Sequence, residues 1–504
     1  MAHLTRMMKR ELRLVTWNVN GLRAVLQRLE QNLLQFLESL EADIICLQET
    51  KLTRSELDEE LVRPPGFDAF YSFCRHRGGY SGVVTFVKGD LPTVAAEEGL
   101  TGHWQTKDNV GHVGSLHDEL PSKILNDLEA EGRCIITDHQ TFVLLNTYCP
   151  ALASADRLEY KLQFHGLLED RVNALRAANK RVIVVGDINI AHREIDHCDP
   201  HAHRDDGSSF GDHPCRKWMD SFVGVSGEKY LPNPHSDDIV DGEPAVKMID
   251  TYRHFHPDQT KAYTCWNTQT GARQTNYGTR IDYILADPTF IECVSSCSID
   301  AERLGSDHCP VLMSCTVELE TSSSTNTGIT AALCARNFAE FSGTQQSIKS
   351  FFARSHAENH LEQSLSPSLR SKKRGQQSIT SFFNHTDTRK RKLSTFREKS
   401  WDEESSTYRM DSGAVRIVKT TENRKSAEEG KLEWAQVLNG RPPPTPLCHC
   451  GQPTVLRSVI KTNENWGRKF YVCTKPAGEK GNPDARCDFF KWVDKKGTKK
   501  PKAQ

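Results

Sequence analysis

The chain has 504 residues, of which 37% are hydrophobic, and its 65 Lys and Arg against 66 Asp and Glu give a formal net charge of −1. This length exceeds one ordinary core and the apolar fraction is low for a fully globular chain, so we expect two or more folded units and a substantial unfolded stretch. The absence of an apolar run near 18 residues, and of an apolar core after the charged N-terminus, argues against a membrane span and a secretory signal.

Charge and cysteine are unevenly distributed along the chain. Residues 451–504 carry 13 Lys and Arg against 5 Asp and Glu, a local charge of +8 that is typical of a nucleic-acid contact. Twelve of the 16 cysteines are scattered through the first 334 residues without regular spacing, as free buried thiols are. The other four stand close together near the C-terminus. The pattern favours a reducing compartment and a metal site over disulfides.

The first predicted elements are two strands separated by a helix. Residues 12–18 alternate between polar and apolar side chains, and 42–50 contain a second, buried strand that ends in a carboxylate. The strands therefore deliver Asn18 and Glu49 at their C-terminal ends. Between them, one helix is predicted from apolar residues at helical spacing, which are Leu29, Leu33, Phe36, Leu37 and Leu40.

The middle of the chain alternates strands with a helix. A turn at 78–82 leads into a strand, 134–148 forms a hairpin that ends at Tyr148, and a helix is predicted across 155–178. The apolar run from Arg181 to Val185 then reads as a strand buried on both faces. Asp187 and Asn189 follow it, and they point to the same side if the extended geometry persists. Alternation of this kind predicts a layered α/β domain.

Two further polar groups follow. The alternating segment 279–285 predicts a strand with Arg280 and Asp282 available for a site, together with Tyr263 upstream. Asp307 and His308 precede a last strand that closes the domain near Glu318.

Eight polar residues thus stand at predicted strand ends: Asn18, Glu49, Tyr148, Asp187, Asn189, Asp282, Asp307 and His308. Each alone has an ordinary structural alternative, such as a helix cap, a solvated carboxylate or a turn. Together they are rich in carboxylates and amides, which suit Mg²⁺ or Mn²⁺ better than zinc. The set predicts metal-assisted hydrolysis of a phosphodiester by water.

Six motifs carry a family resemblance. They are WNVNGLRA at 17–24, LQETK at 47–51, NTY at 146–148, GDINIAH at 186–192, RIDY at 280–283 and GSDHCP at 305–310. In this order across residues 11–318, they resemble the exonuclease III family of the endonuclease/exonuclease/phosphatase superfamily. The resemblance implies an α/β fold, a four-layer sandwich of two packed β-sheets flanked by helices.

The resemblance also implies roles for the residues. Asp187 orients or deprotonates the attacking water, Asn189 stabilises the developing phosphorane charge, and His308, oriented by Asp282, contacts the scissile phosphate. Tyr148 completes the implied catalytic set. The implied Mg²⁺ or Mn²⁺ ligands are Asn18, Glu49, Asp187, Asn189, Asp307 and His308.

The sequence departs from the family pattern at four positions. Asn20 stands where many members carry Asp, and Ala151 where strong apurinic/apyrimidinic (AP) endonucleases carry Asn. Cys265 and Thr279 stand where such enzymes place aromatic walls of the abasic-sugar pocket. The resemblance with these departures predicts a DNA repair nuclease with 3′–5′ exonuclease and 3′-phosphodiesterase activity and weaker AP-endonuclease activity, acting on duplex DNA with 3′ ends or abasic sites.

Residues 319–440 are predicted to be a disordered linker, because hydrophobic residues there are too sparse for a core. The linker repeats the pattern Q-x-x-I-x-x-F-F at 345–352 and 376–383, which resembles the box that binds the PCNA sliding clamp. The predicted clamp-binding residues are Gln345, Ile348, Phe351, Phe352, Gln376, Ile379, Phe382 and Phe383. Basic runs at 371–374 and 389–392 favour the nucleus, with a minor mitochondrial or cytoplasmic pool left open.

The third predicted unit covers 446–495 and resembles the GRF zinc finger. Four cysteines suit a structural Zn²⁺ site, with His449 left open as a rival to Cys450; they are Cys448, Cys450, Cys473 and Cys487. Cations interleaved with aromatics predict single-stranded DNA as a ligand, through Arg457, Lys461, Trp466, Arg468, Lys469 and Lys491. A flexible linker of about 120 residues has an r.m.s. span of about 60 Å, which lets the finger hold a nearby strand.

Two other functions stay open at this point. One is a phosphatase of the same fold that acts on small phosphoesters, which the finger and the clamp boxes argue against. The other is a clamp-bound adaptor with an inactive nuclease domain, which the complete polar set argues against.

Overall fold

The computed structural model describes residues 6–104, 107–115, 119–152, 154, 157–201, 208–224, 247–321, 331–341, 445–459 and 465–493. Residues 1–338 together with 403–504 form one compact unit, which contains the catalytic domain and the finger. Residues 339–402 form a second unit, and both predicted clamp boxes lie there, outside the described residues. None of the helices in the described part of the chain has the length and apolarity that crossing a bilayer requires.

The described strands of the catalytic domain fall into two large sheets and one small ribbon. In chain order they are β1 (Arg6–Asn18), β2 (Ile44–Gln48), β3 (Phe67–Ser72), β4 (Val83–Lys88), β5 (Ala95–Glu98), β6 (Cys134–Asp138), β7 (Val143–Tyr148), β8 (Val182–Asp187), β9 (Val223–Gly224), β10 (Met248–Asp250), β11 (Cys265–Trp266), β12 (Gly278–Thr279), β13 (Asp282–Ala286), β14 (Val294–Ile299) and β15 (Val311–Thr321). One sheet has the order β14-β15-β1-β2-β4-β3, and the other has the order β5-β6-β7-β8-β13-β10-β9. Both are mixed, since β1 and β2 are parallel, as are β7 and β8.

Helices cover the outer faces of the two sheets. They are α1 (Leu22–Leu29), α2 (Leu33–Ser39), α3 (Glu59–Val62), α4 (Ser122–Glu129), α5 (Leu158–Ala177), α6 (Pro214–Phe222) and α7 (Thr251–Phe255). No polar residue interrupts the apolar run of β8, because both faces of this strand are buried. Ile183 and Val185 pack between the sheets, whereas Val182 and Val184 pack towards α5 and α6. The predicted four-layer sandwich is confirmed.

The single helix predicted through Leu29 to Leu40 is wrong. The structure has two helices, because Glu30 adopts a left-handed conformation (φ 55°) that ends the first helix. Asn32 then caps the second helix, because its side chain accepts from Gln35 N while Asn32 N donates to the side chain of Gln35. The apolar spacing is continuous across the break, so periodicity alone does not reveal it.

The finger contributes a three-stranded antiparallel sheet: β16 (Val455–Ser458), β17 (Lys469–Val472) and β18 (Phe490–Trp492).

Candidate active site and zinc finger

Strand register brings the predicted acidic residues together. In the second sheet, Asp187 at the end of β8 lies directly opposite Asp282 at the start of β13, and beside Tyr148 at the end of β7. In the first sheet, β1 ends at Asn18, and Glu49 follows β2 directly. The two sheets therefore present their polar ends at the same edge of the sandwich.

Asn18 joins the two sheets at this edge. Its Nδ2 donates to Glu49 Oε1 at 3.1 Å and to Asp187 Oδ2 at 2.9 Å. All three side chains are buried. A single amide thus holds two carboxylates, Glu49 and Asp187, that are 138 positions apart in the chain. This convergence is the one that the sequence predicts.

Asn189 reaches Asp187 by a different route from the predicted one. The extended geometry does not persist, because β8 ends at Asp187 and Asn189 is left-handed with φ 58°. Its Nδ2 nevertheless donates to Asp187 Oδ2 at 3.1 Å and to Cys149 O at 3.0 Å. The buried Lys161 of α5, which sequence reasoning missed, donates from Nζ to Asn189 O at 2.7 Å. The only signal for it is a lysine within a predicted helix.

His308 and Asp282 form a buried pair beside Asp187. His308 Nδ1 and Asp282 Oδ2 are 2.8 Å apart, and His308 Nε2 lies 4.0 Å from Asp187 Oδ2. Burial lowers the pKa of His308, but the interactions with Asp282 and Cys265 together outweigh it and raise the pKa well above 6.5. His308 therefore carries a positive charge at neutral pH, as a phosphate contact requires.

Asp307 is linked to Glu49 through two residues whose roles the sequence left unassigned. Asp307 Oδ1 accepts from Asn20 Nδ2 at 2.9 Å, and Lys51 Nζ donates to Asn20 Oδ1. Lys51 also lies 3.3 Å from Glu49 Oε2. Lys51 belongs to the motif at 47–51, so its position there is the signal that could have found it.

An open cavity of about 500 Å³ lies over this edge. It is lined by Asn20, Arg28, Leu29, Thr268, Leu304, Gly305, Ser306 and Asp307. Tyr148 is largely buried on the other side, with the Arg133 guanidinium 4.7 Å from its ring centroid.

Arg280, available for the site by sequence, belongs instead to a buried ionic network. Its Nε and Nη2 donate to Asp196 at 2.8 and 3.1 Å, and Nη2 also donates to Asp250 at 2.6 Å. Arg253 Nη2 completes the network at 2.5 Å from Asp196 Oδ1. These four side chains are buried. The network fixes the chain just before Asp282.

The donor set of the active site fits a hard divalent cation. Carboxylate and amide oxygens dominate it, and Asp187, Asp282 and His308 offer ligand atoms within 4.8 Å of one another. Asp282 Oδ1 is buried and accepts no hydrogen bond among the described residues. Four carboxylates against Lys51, Lys161 and a protonated His308 leave a charge of −1, which favours a bound cation.

The four cysteines of the finger also converge. The sulfur atoms of Cys448, Cys450, Cys473 and Cys487 lie within 4.8 Å of one another, as a tetrahedral zinc site requires. His449 turns away, since its Nδ1 lies 2.8 Å from Asp488 Oδ1. Geometry therefore favours Cys450 over His449 as the fourth ligand.

The predicted DNA-binding residues of the finger differ in accessibility. Trp466 is 68% exposed, and Lys469 and Lys491 are exposed as well. Arg468 instead lies 3.9 Å above the Trp492 ring, and Phe470 stacks on Phe490 at 5.0 Å. Lys461 lies outside the described residues.

Comparison with known proteins gives these sites a context. A model of the Endonuclease/Exonuclease/phosphatase family matches residues 15–308. The chain belongs to this family. A second model, the GRF zinc finger, matches residues 446–496. The family prediction and the prediction that the chain is an enzyme are confirmed.

Relatives within the endonuclease/exonuclease/phosphatase family cover different shares of the chain. The DNA-(apurinic or apyrimidinic site) endonuclease 2 of Mus musculus is 36% identical over 95% of this chain and 99% of its own length. The exodeoxyribonuclease of Bacillus subtilis is 30% identical over 60% of this chain and 98% of its own. The crystal structure of the Xenopus laevis APE2 catalytic domain superposes with a TM-score of 0.56 and 37% identity, covering 67% of this chain and 100% of that one.

Proposed function

We propose that the protein is a DNA repair nuclease that hydrolyses phosphodiesters at 3′ ends, as a 3′–5′ exonuclease and 3′-phosphodiesterase, and cuts abasic sites more weakly. The observation that carries the proposal is the convergence of Glu49, Asp187, Asp282 and Asp307 into one cluster of net negative charge. The relatives named for AP endonuclease and exodeoxyribonuclease activity support DNA as the substrate.

The proposed cation is Mg²⁺ or Mn²⁺, held by Glu49 and Asn18 with Asp187, Asn189 and Asp307 as the remaining ligand set. His308, a ligand by the family resemblance, is assigned to the phosphate instead, because a protonated imidazole has no lone pair for a metal. When bound, it would polarise the phosphodiester and neutralise charge on the phosphorane.

Asp187 is the proposed acceptor of the water proton. Hydrogen bonds from Asn18 at 2.9 Å and Asn189 at 3.1 Å fix the orientation of its carboxylate. Asn189 donates both amide hydrogens within the protein, to Asp187 and Cys149, so a contact with the substrate replaces one of them. That exchange directs the amide at the charge that develops on the phosphorane.

His308 is the proposed cationic contact to the scissile phosphate. Asp282 holds Nδ1 at 2.8 Å, which leaves Nε2 facing the side of Asp187. A charged donor in a buried site stabilises an anion more strongly than it does in water. Tyr148, next to Asp187 in register, is proposed to assist protonation of the leaving group.

Two side chains support the weaker activity at abasic sites. Cys265 and Thr279 are direct cross-strand partners in the β11–β12 ribbon. Neither offers the flat apolar wall that a larger aromatic residue would give to an abasic sugar. A less complementary pocket lowers the binding of that substrate while the phosphodiester chemistry stays the same.

The finger is proposed to bind single-stranded DNA. The exposed indole of Trp466 offers a stacking surface, and Lys469 and Lys491 offer charge to the backbone. Zinc held by the four cysteines is proposed to stabilise this fold. We expect binding to weaken steeply with salt.

Recruitment is proposed to run through the two clamp boxes at 345–352 and 376–383. Two copies raise the effective concentration at a clamp with several binding sites, here PCNA. The basic runs near the boxes support nuclear localisation.

The function is tested with the full chain on 3′-recessed mismatched duplexes, abasic duplexes and a panel of small phosphoesters, with and without Mg²⁺ or Mn²⁺. We expect metal-dependent nucleotide release from 3′ ends, slower abasic cleavage and little phosphoester turnover. Robust preference for abasic duplex contradicts the proposed specificity. Preference for small phosphoesters supports a phosphatase instead, and no turnover with any metal supports an adaptor.

A further inference from the structure

The finger contacts the catalytic domain through one defined segment. Its residues 476–478 lie against the segment 267–279, which comprises the loop after β11 and the short strand β12. Ala477 N donates to Thr270 O at 2.9 Å, and Thr275 Oγ1 donates to Ala477 O. Both polar groups of the Ala477 backbone are therefore paired with the catalytic domain.

An apolar contact surrounds these hydrogen bonds. Ala477 is 5% exposed and belongs to one cluster with Tyr263, Trp266, Ala272 and Cys309 of the catalytic domain. Gly478 follows at a close approach, since a Cβ there would lie 3.1 Å from Thr275 Cβ and 2.7 Å from Ala485 Cβ. The finger thus presents small residues where the two surfaces meet.

An ion pair also crosses this interface. Lys261 Nζ lies 2.8 Å from Glu479 Oε1, and both side chains are more than half exposed. Exposed pairs contribute little to stability, so the buried alanine and its paired backbone hold the interface more than the charges do.

Arg457, one of the predicted DNA-binding residues, borders the same loop from the face of the finger sheet opposite to Lys469 and Lys491. Arg457 is paired with Phe470 across β16 and β17, and Phe470 is paired with Trp492 across β17 and β18. Directly opposite residues share a face of the sheet. From that face, Arg457 Nη2 donates to Gln269 O at 3.1 Å.

The loop reaches the active site on its other side. Thr268 lines the cavity together with Asp307. Trp266 N donates to Asp307 O at 3.0 Å, and Cys265 forms a β-bridge with His308. One loop therefore contacts both the finger and the residues at the scissile phosphate.

We propose that the finger docks on the segment 267–279 and forms one DNA-binding rim with the active site, so that the nuclease selects 3′ ends facing a single-stranded gap of fixed length. A finger on a free tether accepts every gap within reach of the linker, whereas a docked finger favours one spacing. The docking stands on the contacts above alone. The gap preference rests on the proposed nuclease function.

Docking is tested on the zinc-loaded full chain with a water-soluble carbodiimide, which joins an amine and a carboxylate without a spacer. Lys261 and Glu479 are expected to form an amide within one chain, detected by peptide mass spectrometry. Lys180 and Asp138, 2.7 Å apart inside the catalytic domain, are the internal reference. Formation of the reference cross-link without the Lys261–Glu479 cross-link would overturn the docking.

Variants test whether the interface causes the cross-link. Ala477→Asp places a charge in the apolar cluster. Because an unpaired buried charge is unfavourable, we expect the yield of the Lys261–Glu479 cross-link to fall at least about tenfold relative to the reference. Lys480→Asp introduces the same residue at an exposed position and is expected to keep the yield. Thr275→Asp disrupts the interface from the catalytic side, so a folding defect of the finger does not decide the result. An unchanged yield in both interface variants, with zinc retained, refutes the interface.

Selectivity is measured as nucleotide release from duplexes whose 3′ end faces gaps of 0 to about 20 nucleotides. The wild-type rate is expected to peak at one gap length by about fivefold or more, and Ala477→Asp is expected to flatten this dependence. A flat wild-type profile overturns the gap preference. If no DNA is cleaved at any gap length, the proposed nuclease function fails, and the cross-link still reports on docking.

Discussion

Two clusters of buried charge lie side by side along the segment 280–282. Arg280 belongs to the network with Asp196, Asp250 and Arg253, whereas Asp282 belongs to the active site. The network pairs two carboxylates with two guanidinium groups and is neutral. The active site holds four carboxylates against three cations, which are Lys51, Lys161 and a protonated His308.

The difference separates structural from functional charge. A neutral, hydrogen-bonded network needs nothing from outside the protein, and it fixes the backbone that positions Asp282. An excess of negative charge in a largely buried cluster is costly unless a cation joins it. Burial and acidity are shared by both clusters, so the uncompensated charge is the feature that marks the site.

The largest expected effect comes from Asp187, at the centre of the uncompensated cluster. We expect Asp187→Asn to lower the rate of 3′ nucleotide release by about 10²–10⁴-fold, because the proposed acceptor of the water proton is lost. Stability in urea is expected to hold, since the change removes a negative charge from a cluster with too many. The matched control is Asp220→Asn at an exposed carboxylate. Equal loss in both variants contradicts the assignment.

Arg253 tests the neutral network. Arg253→Met leaves Asp196 with one guanidinium partner, and breaking a buried pair costs about 3–5 kcal/mol of unfolding free energy. Urea denaturation measures it, with Arg75→Met at a half-exposed pair as the control, for which we expect at most about 1 kcal/mol.

The same variant changes acid stability. Burial raises the pKa of Asp196, but Arg280 and Arg253 outweigh it and lower the pKa to about 2. A depressed pKa stabilises the fold above the unfolded value of about 3.9, and this contribution is lost as pH falls towards 2. Arg253→Met is expected to lose part of it. If wild type and Arg253→Met lose the same share of their pH 7 stability as pH falls, this role for the network is excluded.

Asp282 tests the link between the two clusters. Asp282→Asn removes the charge that keeps the pKa of His308 high, so burial then lowers that pKa. The imidazolium is lost at lower pH, and the alkaline limb of the kcat profile moves towards acid. We expect a fall in kcat of about 10–100-fold at pH 7.5. A profile with an unmoved alkaline limb means that His308 acts without its charge.

The smallest effect is expected at Glu129, a buried carboxylate without a cation. Burial raises its pKa to about 7, although it accepts from Leu100 N and Thr101 N at 2.6 Å. A raised pKa favours the protonated folded state, so its contribution to stability is full below about 4.5 and is lost as pH rises through about 7. The free energy of unfolding of Glu129→Gln, taken relative to that of the wild type, is expected to be about 1–2 kcal/mol higher at pH 7.5 than at pH 5, as measured by urea denaturation. A parallel pH dependence in both proteins refutes it.

The strand ends show how much of the site the sequence reveals. Asn18, Glu49, Asp187 and Asp282 follow or begin apolar runs, and the ends of neighbouring strands meet at one edge, so their convergence follows from pattern alone. The role of Arg280 cannot be predicted from the sequence pattern, because its partners Asp196 and Asp250 come from segments with no periodic signal.

Backbone conformation and domain contacts are the other limits. Nothing in composition distinguishes the left-handed Asn189 from an extended one, and the break at Glu30 lies inside an unbroken apolar spacing. The contact of Ala477 with the catalytic domain is equally hidden, because alanine, glycine and two backbone hydrogen bonds form no motif. The start of the predicted linker at 319–440 is folded, since β15 continues to Thr321 and Ala331, Leu333 and Cys334 belong to the core between the sheets. Residues 342–440, with the clamp boxes, lie outside the described residues.

The most direct test of the central claim is a titration of the zinc-loaded full chain with Mn²⁺, followed by electron paramagnetic resonance. The uncompensated charge predicts one Mn²⁺ per chain in the wild type, weaker binding in Glu49→Gln and in Asp187→Asn, and unchanged binding in Asp220→Asn. Equal Mn²⁺ binding in all four proteins, or none in any, would contradict the claim that these carboxylates gather around one divalent cation.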